Sequence, residues 1–381
     1  MNEIDARARQ LIDDITGRGH KKAEALISTL SEQERNKIDI VAPTDTMEMR
    51  AVKIDEQDSE SGKILKLSFD EQRVGQPIIQ HSMALTDWGH RQLAEKTGIP
   101  IRYYDRMRED APPELVAANV NTWIDNREKR FIRTLDGNVR AILSDKYLVL
   151  DHLSAIDAAA SKAKELGAVM AEAHLDETRL YVKMIVPHET WQIKQGDHHV
   201  RGIMFSNSEV GAGSFRAEPF VMRLICSNGL IGMDKLSRVH LGSKMDAGMY
   251  VSSETENLEK ETIASKLQDL VEGIFDREKF DNWMESYRQT TEVNLRSPVD
   301  ATKNVINTFK LGEKHESALL NSLVAEGDST QYGLINALTS YAKKQAPLVQ
   351  IEIEKVAGEI SVMEEKKFQD TINVEPMIAV A

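Results

Sequence analysis

The hydrophobic and polar positions change period several times along the chain, and each change marks an element. Over residues 3–36 the apolar residues Ile4, Ala8, Leu11, Ile12 and Ile15 recur at helical spacing, which predicts an amphipathic helix broken by Gly17 and Gly19. "MRAVKI" and "KILKLSF" are short β-type runs on either side of the polar "DEQDSESG", a hairpin with a loose loop. "TDWGHRQLAEKTGIP" returns to helical spacing, with Thr86 or Asp87 as N-cap, Gly98 beyond the last turn and Pro100 preventing continuation. "PPELVAANVNTWIDNRE" is another helix, with Pro112 and Pro113 in its first turn. The sharpest local signal follows: two β runs, "KRFIRTL" and "VRAILS", flank Asp136-Gly137, the pair that a tight hairpin turn demands.

"SAIDAAASKAKELG" predicts an alanine-rich helix, and "TRLYVKMIVP" and "HHVRGIMFSNS" predict strands. In "GSFRAEPFVMRLICSNGLIG", "GSFRA" suits a short strand. Residues 219–227 read as a short buried helix, because Pro219 suits a first turn, Ala217, Phe220, Val221, Leu224 and Ile225 fall at helical spacing, and Asn228-Gly229 makes a left-handed stop. A continuous strand is the alternative there. From about residue 255 the pattern is helical almost to the end. The fold class is α+β: a mixed body of β-hairpins and helices, then a mostly helical C-terminal region. The expected divisions are an N-terminal helical segment (1–45), an α+β body (46–250) and an acidic helical region (251–381).

Charge sharpens this division. The net charge is -13, and residues 251–381 hold 14 Lys and Arg against 23 Asp and Glu, so most of the acidity lies in the C-terminal third. Such a total favours a soluble, self-repelling chain and counts against a general nucleic-acid coat or an anionic-membrane binder, though not against a local basic site. Cys226 is the only cysteine, so an intrachain disulfide is excluded and a reducing, intracellular compartment is expected. The charged N-terminal stretch lacks the apolar core of a secretory signal, and no apolar run approaches the ~20 residues of a membrane span.

Several groups could carry chemistry. Lys129, Arg130, Arg133, Arg140 and Lys146 crowd onto the predicted hairpin, with Phe131 and Tyr147 available to stack on bases. The bland alternative is a solvated hairpin whose charges prevent edge pairing. Arg201, Arg216, Arg223, Lys235, Arg238 and Lys244 form a second basic group, and a helix would place Arg216 and Arg223 nearly in line. Arg223 sits inside an apolar run, so either a phosphate or an internal acid such as Glu209 or Glu218 must satisfy it. Gly211, Gly213 and Ser214 could let backbone N–H groups approach a phosphate, but neither a Walker loop nor a dinucleotide fingerprint is present. His198 and His199 would point to opposite faces of a strand and cannot share a metal easily, so no metal and no cofactor is expected. No nucleophile–base pairing or other catalytic constellation stands out, which leans against an enzyme, and an enzyme using the Gly211–Ser214 loop as a phosphate cradle stays open as a third reading.

Four phrases in order, "ALTDWGHRQLAEKTGIPIRYYDRM", "VRAILSDKYLVLDH", "NSEVGAGSFRAEPFVMRLICSNGLI" and "GDSTQYGLINALTSYAKKQAP", resemble the phage- and plasmid-like proteins that carry domain of unknown function 932. "RLICSNG" is the most specific of these. The resemblance implies a mobile-element protein of a bacterial host cytoplasm, among replication and recombination functions. The basic hairpin within a helical context is also similar in architecture to phage single-strand annealing proteins. The expected function is therefore binding of nucleic acid, most plausibly single-stranded DNA, by a homo-oligomer with no membrane role. The alternative is a structural or interaction protein that assembles or docks a partner through its acidic helices.

Overall fold

A computed structural model describes residues 6–54, 62–72, 76–124, 128–232 and 253–374. Among these, eleven strands form two sheets and twelve α-helices surround them. The first sheet has the order β1 (Lys37–Pro43), β5 (Lys129–Leu135), β6 (Asn138–Ser144), β4 (Ile79–Leu85), β3 (Lys63–Glu71), β2 (Glu48–Lys53). Only β4 and β6 run parallel, through Ala84 and Leu85 opposite Asn138 and Val139. The second sheet is antiparallel throughout, in the order β11 (Asn228–Ile231), β10 (Arg216–Arg223), β9 (Asp197–Asn207), β8 (Leu180–Lys194), β7 (Val169–Leu175).

One face of the first sheet buries Ile40, Met49, Leu67, Phe69, Ile132 and Ile142 against α2 (Asp87–Thr97), α3 (Ile101–Asp110) and α4 (Pro113–Trp123). The start of α2 follows the local chemistry. Thr86 accepts from Gly89 N–H, and Gly98, at φ 71°, closes the other end. Asp136 and Gly137, both at positive φ, turn β5 into β6 as the Asp-Gly pair predicts.

The second sheet is covered on both faces. Tyr181, Ile185, Met204, Phe220 and Ile231 pack under the N-terminal part of α1 (Ala6–Asn36) and under Ile351 of α11 (Pro347–Ser361). Val182, Met184, Ile203, Phe205 and Ala217 pack under α5 (His152–Glu165) and α6 (Ser253–Ile274). The remaining helices, α7 (Arg277–Gln289), α8 (Pro298–Thr308), α9 (Glu316–Glu326), α10 (Gln331–Ala342) and α12 (Glu365–Thr371), share a third core with α11. Val221 and Leu230 of the sheet reach into it. No described helix is long and apolar enough to cross a membrane.

Two expectations are corrected. α1 does not break at Gly17 or Gly19 but runs through both. Gly19 lies against β7, where a Cβ would stand 1.9 Å from the Met170 carbonyl oxygen, so this glycine sets how closely the helix approaches. Residues 219–227 are not a helix: β10 reaches Arg223, a turn with Ser227 at φ 53° follows, and β11 returns from Asn228. A strand buried on both faces gives an unbroken apolar run, which periodicity cannot distinguish from a short helix. Pro219 fits because its missing N–H faces the end of β11, while its carbonyl accepts from Gly232 N–H at 2.8 Å.

Candidate functional site

The hairpin cations are not laid out along an open groove. Phe131 and Arg133 share the face of β5 turned away from α2–α4, and Arg133 is wholly buried. Its guanidinium takes both oxygens of Asp39 on neighbouring β1 at 2.9 and 3.0 Å. It also takes Asp151 Oδ1 at 2.6 Å and the Glu209 carbonyl at 2.9 Å. Lys37 adds a second cation to Asp151 at 2.8 Å. Burial opposes charge on Arg133, but the two carboxylates outweigh it and raise its pKa further above the ordinary range. Arg140 donates to Glu209 Oε2 at 2.6 Å, and the other oxygen of Glu209 accepts the N–H of His152 at the start of α5. Arg130 pairs with Glu128. Phe131 is buried and stacks on half-buried Tyr147 with 6.5 Å between centroids. Lys129 and Lys146 are exposed.

The glycine loop is part of the same seam. Ser208 Oγ accepts the N–H groups of Val210 and Ala212, so two donors expected to meet phosphate are already used. The Val210 carbonyl accepts Trp88 Nε1–H at 2.9 Å and the Gln92 amide at 2.8 Å, both from α2. Arg179 donates to the Ala212 carbonyl and lies flat against Gly213, where a Cβ would stand 2.0 Å from its terminal nitrogen. Gly211 and Gly213, with Ser214 after them, therefore let the loop fit between the two sheets.

The second basic group separates. On a strand, Arg216 and Arg223 point to opposite faces, not along one line. Arg201 is buried, donates to Glu189 at 2.8 Å and lies 5.0 and 4.9 Å from the Phe275 and Phe280 rings. Arg216 is half-buried, with Nε unbonded among the described residues. Lys235, Arg238 and Lys244 lie outside the described residues.

Arg223 stands at the centre of a polar cluster that joins "RLICSNG" to "GDSTQYGLINALTSYAKK". Its Nε and Nη2 donate to Asp197 at 2.9 and 2.7 Å, and its Nη1 to Glu326 at 3.0 Å. The acids are these two and not Glu209 or Glu218: Glu209 holds Arg140, and Glu218 accepts from Lys355 at 2.7 Å. Tyr332 O–H donates to Asp197 at 2.6 Å, and Tyr287 O–H donates to Asn336 at 3.2 Å. Lys343, at the end of α10, donates to the Cys226 carbonyl at 2.5 Å. His199 is fully buried between the Tyr287 and Tyr332 rings, with no hydrogen bond to either nitrogen, and burial lowers its pKa to about 4. Burial also raises the pKa of the Cys226 thiol, which disfavours the thiolate. Burial opposes ionisation of Asp197, but the hydrogen bonds from Arg223 hold it below the usual carboxylate range. Both carboxylate oxygens of Asp197 are thus occupied, and this arrangement is suited to fastening α10 to the sheet.

Two surface clefts stand out among the described residues. One, of about 590 Å³, lies where α2 and α3 meet the β7–β8 turn, and Glu177 of that turn accepts the Trp88 backbone N–H. The other, of about 680 Å³, runs between β2 and α4. Among the described residues no group of three or more His, Cys, Asp or Glu side chains is arranged to hold a metal. Sequence reasoning missed Asp39, Asp151, Glu189, Asp197 and Glu326 as partners of the arginines. Asp39 was findable, since "KIDIV" alternates as a strand.

No curated protein and no solved structure matches the chain. A family model does match, from within β6 to the end of α12, over residues 141–371, which include both "RLICSNG" and the α10 phrase gathered around Arg223. The chain belongs to the family of the domain of unknown function DUF932.

Proposed function

We infer that this protein works through contacts with other proteins and not through binding phosphates. The observation that carries this reading is the pairing of its arginines. Arg130, Arg133, Arg140, Arg201 and Arg223 each hold a carboxylate within the molecule, and three of the five are buried. Binding to a polyanion draws its strength from free cations that displace condensed counterions. An arginine that must first release a buried carboxylate gains nothing by the exchange and leaves an unpaired charge behind. The net charge of -13 and the acidic C-terminal third add long-range repulsion toward nucleic acid.

The test is fluorescence anisotropy with labelled single- and double-stranded 30-mers at about 50 mM salt, where non-specific binders are strongest. No saturable binding is expected up to tens of micromolar protein. A tight complex whose affinity falls steeply with salt would overturn the reading. It would favour a second one, a single-stranded-DNA-binding protein of mobile-element origin, working in recombination or replication. That reading is kept by one observation: Lys129 and Lys146 are exposed at the same end of the hairpin, beside Tyr147. Charge reversal at both lysines would then abolish binding. Light scattering decides whether the protein contacts include a second copy of the chain.

A further inference from the structure

Of the helices that cover the second sheet, α1 is held differently from α10 and α11. It lies across the outer strand β7. Ala8, Ile12 and Ile15 pack with Tyr181 and Ile185 in the core on one face of the sheet, and Leu26 and Leu30 pack with Met170 and Val182 in the core on the other. Gly19 makes the crossing, with its backbone against the Met170 carbonyl. The helix has 31 residues and is about 46 Å long. Its direct polar bonds to the body are few. Lys22 Nζ donates to the Ala171 carbonyl at 3.2 Å, and Asn36 donates to Asp136 at 2.8 Å. Apart from Glu34 with Lys37 at the junction itself, no ion pair among the described residues ties α1 to another element.

The other covers are fastened by charge. Asp197 takes Arg223 of β10 and the Tyr332 hydroxyl of α10. Glu354 and Lys355 of α11 take Lys183 and Glu218 of the sheet at 2.8 and 2.7 Å. Lifting either helix would leave a buried charge unpaired, and lifting α1 leaves none. The interior of α1 also carries Gly17 and Gly19, residues of low helix propensity. Only Gly19 is required by the sheet, since nothing lies within 4 Å of a Cβ placed at Gly17. The junction is the last difference. α1 ends at Asn36 and β1 begins at Lys37, with no residue between them. Such a connection has no slack with which to bring a long helix back onto its own sheet, and short hinges favour exchange of an element between copies.

We propose that α1 is a releasable strap that two copies of the chain exchange, each α1 lying across β7 of the other copy. The groove fits this occupant because α1 makes the same contact within one chain, with Gly19 at the Met170 carbonyl in both arrangements. What changes is the hinge at Asn36 and Lys37, which opens so that the helix points away from its own sheet. This rests on the protein-contact reading above and names the partner as a second copy and the surface as the groove over β7.

The experiment uses the full chain. Sedimentation velocity should show a monomer giving way to a dimer as concentration rises. Native mass spectrometry of heavy-nitrogen-labelled chain mixed with unlabelled chain should show mixed dimers that form no faster than the amides of α1 exchange with deuterium. A flexible Gly-Ser linker of about ten residues, inserted between Asn36 and Lys37, gives α1 the slack to return and should weaken the dimer more than tenfold, while every α1 contact is kept. A dimer through any other surface is indifferent to that linker, so an unchanged dimer would overturn the exchange. Gly19→Val sets a Cβ 1.9 Å from the Met170 carbonyl oxygen in either arrangement. It should abolish the dimer and speed amide exchange in α1 and β7, with β9 unchanged. A dimer that survives this variant rules out the groove, and loss of protection in β9 as well shows that α1 is integral to the fold and not releasable. A chain that stays monomeric at every concentration rules out the second copy. Oligonucleotide anisotropy on the same samples reports on the broader reading separately, since the dimer can fail while nucleic acid is still ignored.

Discussion

The two sheets are both mainly antiparallel but differ in how they are closed. All eleven residues of β9 are buried, and the edges of its sheet are shut, at β7 by α1 and at β11 by α10 and α11. In the first sheet Met49 is the one buried residue of β2, and among the described residues the outer side of this strand is met by α4 and its Asn121 amide. Closure forces charges to find internal partners. Asp197, Arg201 and Glu209 are all in or next to β9, and each is spent on cohesion. Openness instead leaves backbone groups available. The family match at 141–371 covers the closed sheet and helices α5–α12 and leaves out β1–β5 and α1–α4, α1 being the one helix of the closed sheet outside it. The shared part of the chain therefore appears in its most cohesive region, and the open edge belongs to the segment outside the match.

The sharpest way to test the contrast is to remove one arginine from each setting. Arg223→Met, on β10 of the closed sheet, should destabilise by about 3–5 kcal/mol, because buried Asp197 keeps its charge beside an apolar chain. Arg50→Met on β2, whose pair with Glu48 is exposed, should cost less than about 0.5 kcal/mol. Urea midpoints measure both, and similar losses would erase the distinction.

Acid should act next, and on the closed region. His199 in β9 and His152 beside Glu209 are held neutral by burial, each with a pKa lowered to about 4. The unfolded chain binds protons on these histidines at a pKa near 6.5, before the folded chain does, so stability falls as pH drops from about 6.5 toward 4. The two together contribute up to about 3 kcal/mol per pH unit in that window. His199→Phe should remove about half of that slope at little or no cost at pH 7, because neither ring nitrogen has a partner to lose. An unchanged slope would show that His199 is already protonated or bonded.

A smaller effect should come from the closed edge itself. In Gly358→Ala the new methyl would stand 1.9 Å from the Ile231 carbonyl oxygen, so α11 must lift from β11. About 1–3 kcal/mol should be lost, with faster amide exchange in β11. The smallest effect belongs to the open edge: the Ala51 N–H points away from β3, as that of Met49 does, so Ala51→Pro should change stability by no more than about 0.5 kcal/mol.

Much of this fold can be read in the chain before any coordinates. The helix from Thr86 to Gly98, the Asp136-Gly137 hairpin and the helical C-terminal third all follow from local signals: a cap, a turn pair, a period. The failures share a cause. Gly19 looks like a helix breaker until β7 lies against it, and "PFVMRLIC" looks helical until both of its faces prove covered. The candidate site was least legible. A cluster of cations in sequence says nothing about acids that arrive from 69 or 94 residues away, as Glu209 does for Arg140 and Asp39 for Arg133. The β2 edge left no mark, because unbonded N–H groups are a property of neighbours and not of residue type.

Glu209 ties a residue of the first sheet to the first turn of α5 from a loop of the second, across sequence separations of 69 and 57 residues. A clasp drawn from such distant stretches cannot close until both halves it joins have taken shape. The seam therefore adds long-range closures to the fold, and each raises the contact order that sets how slowly such a chain finds its native pairings.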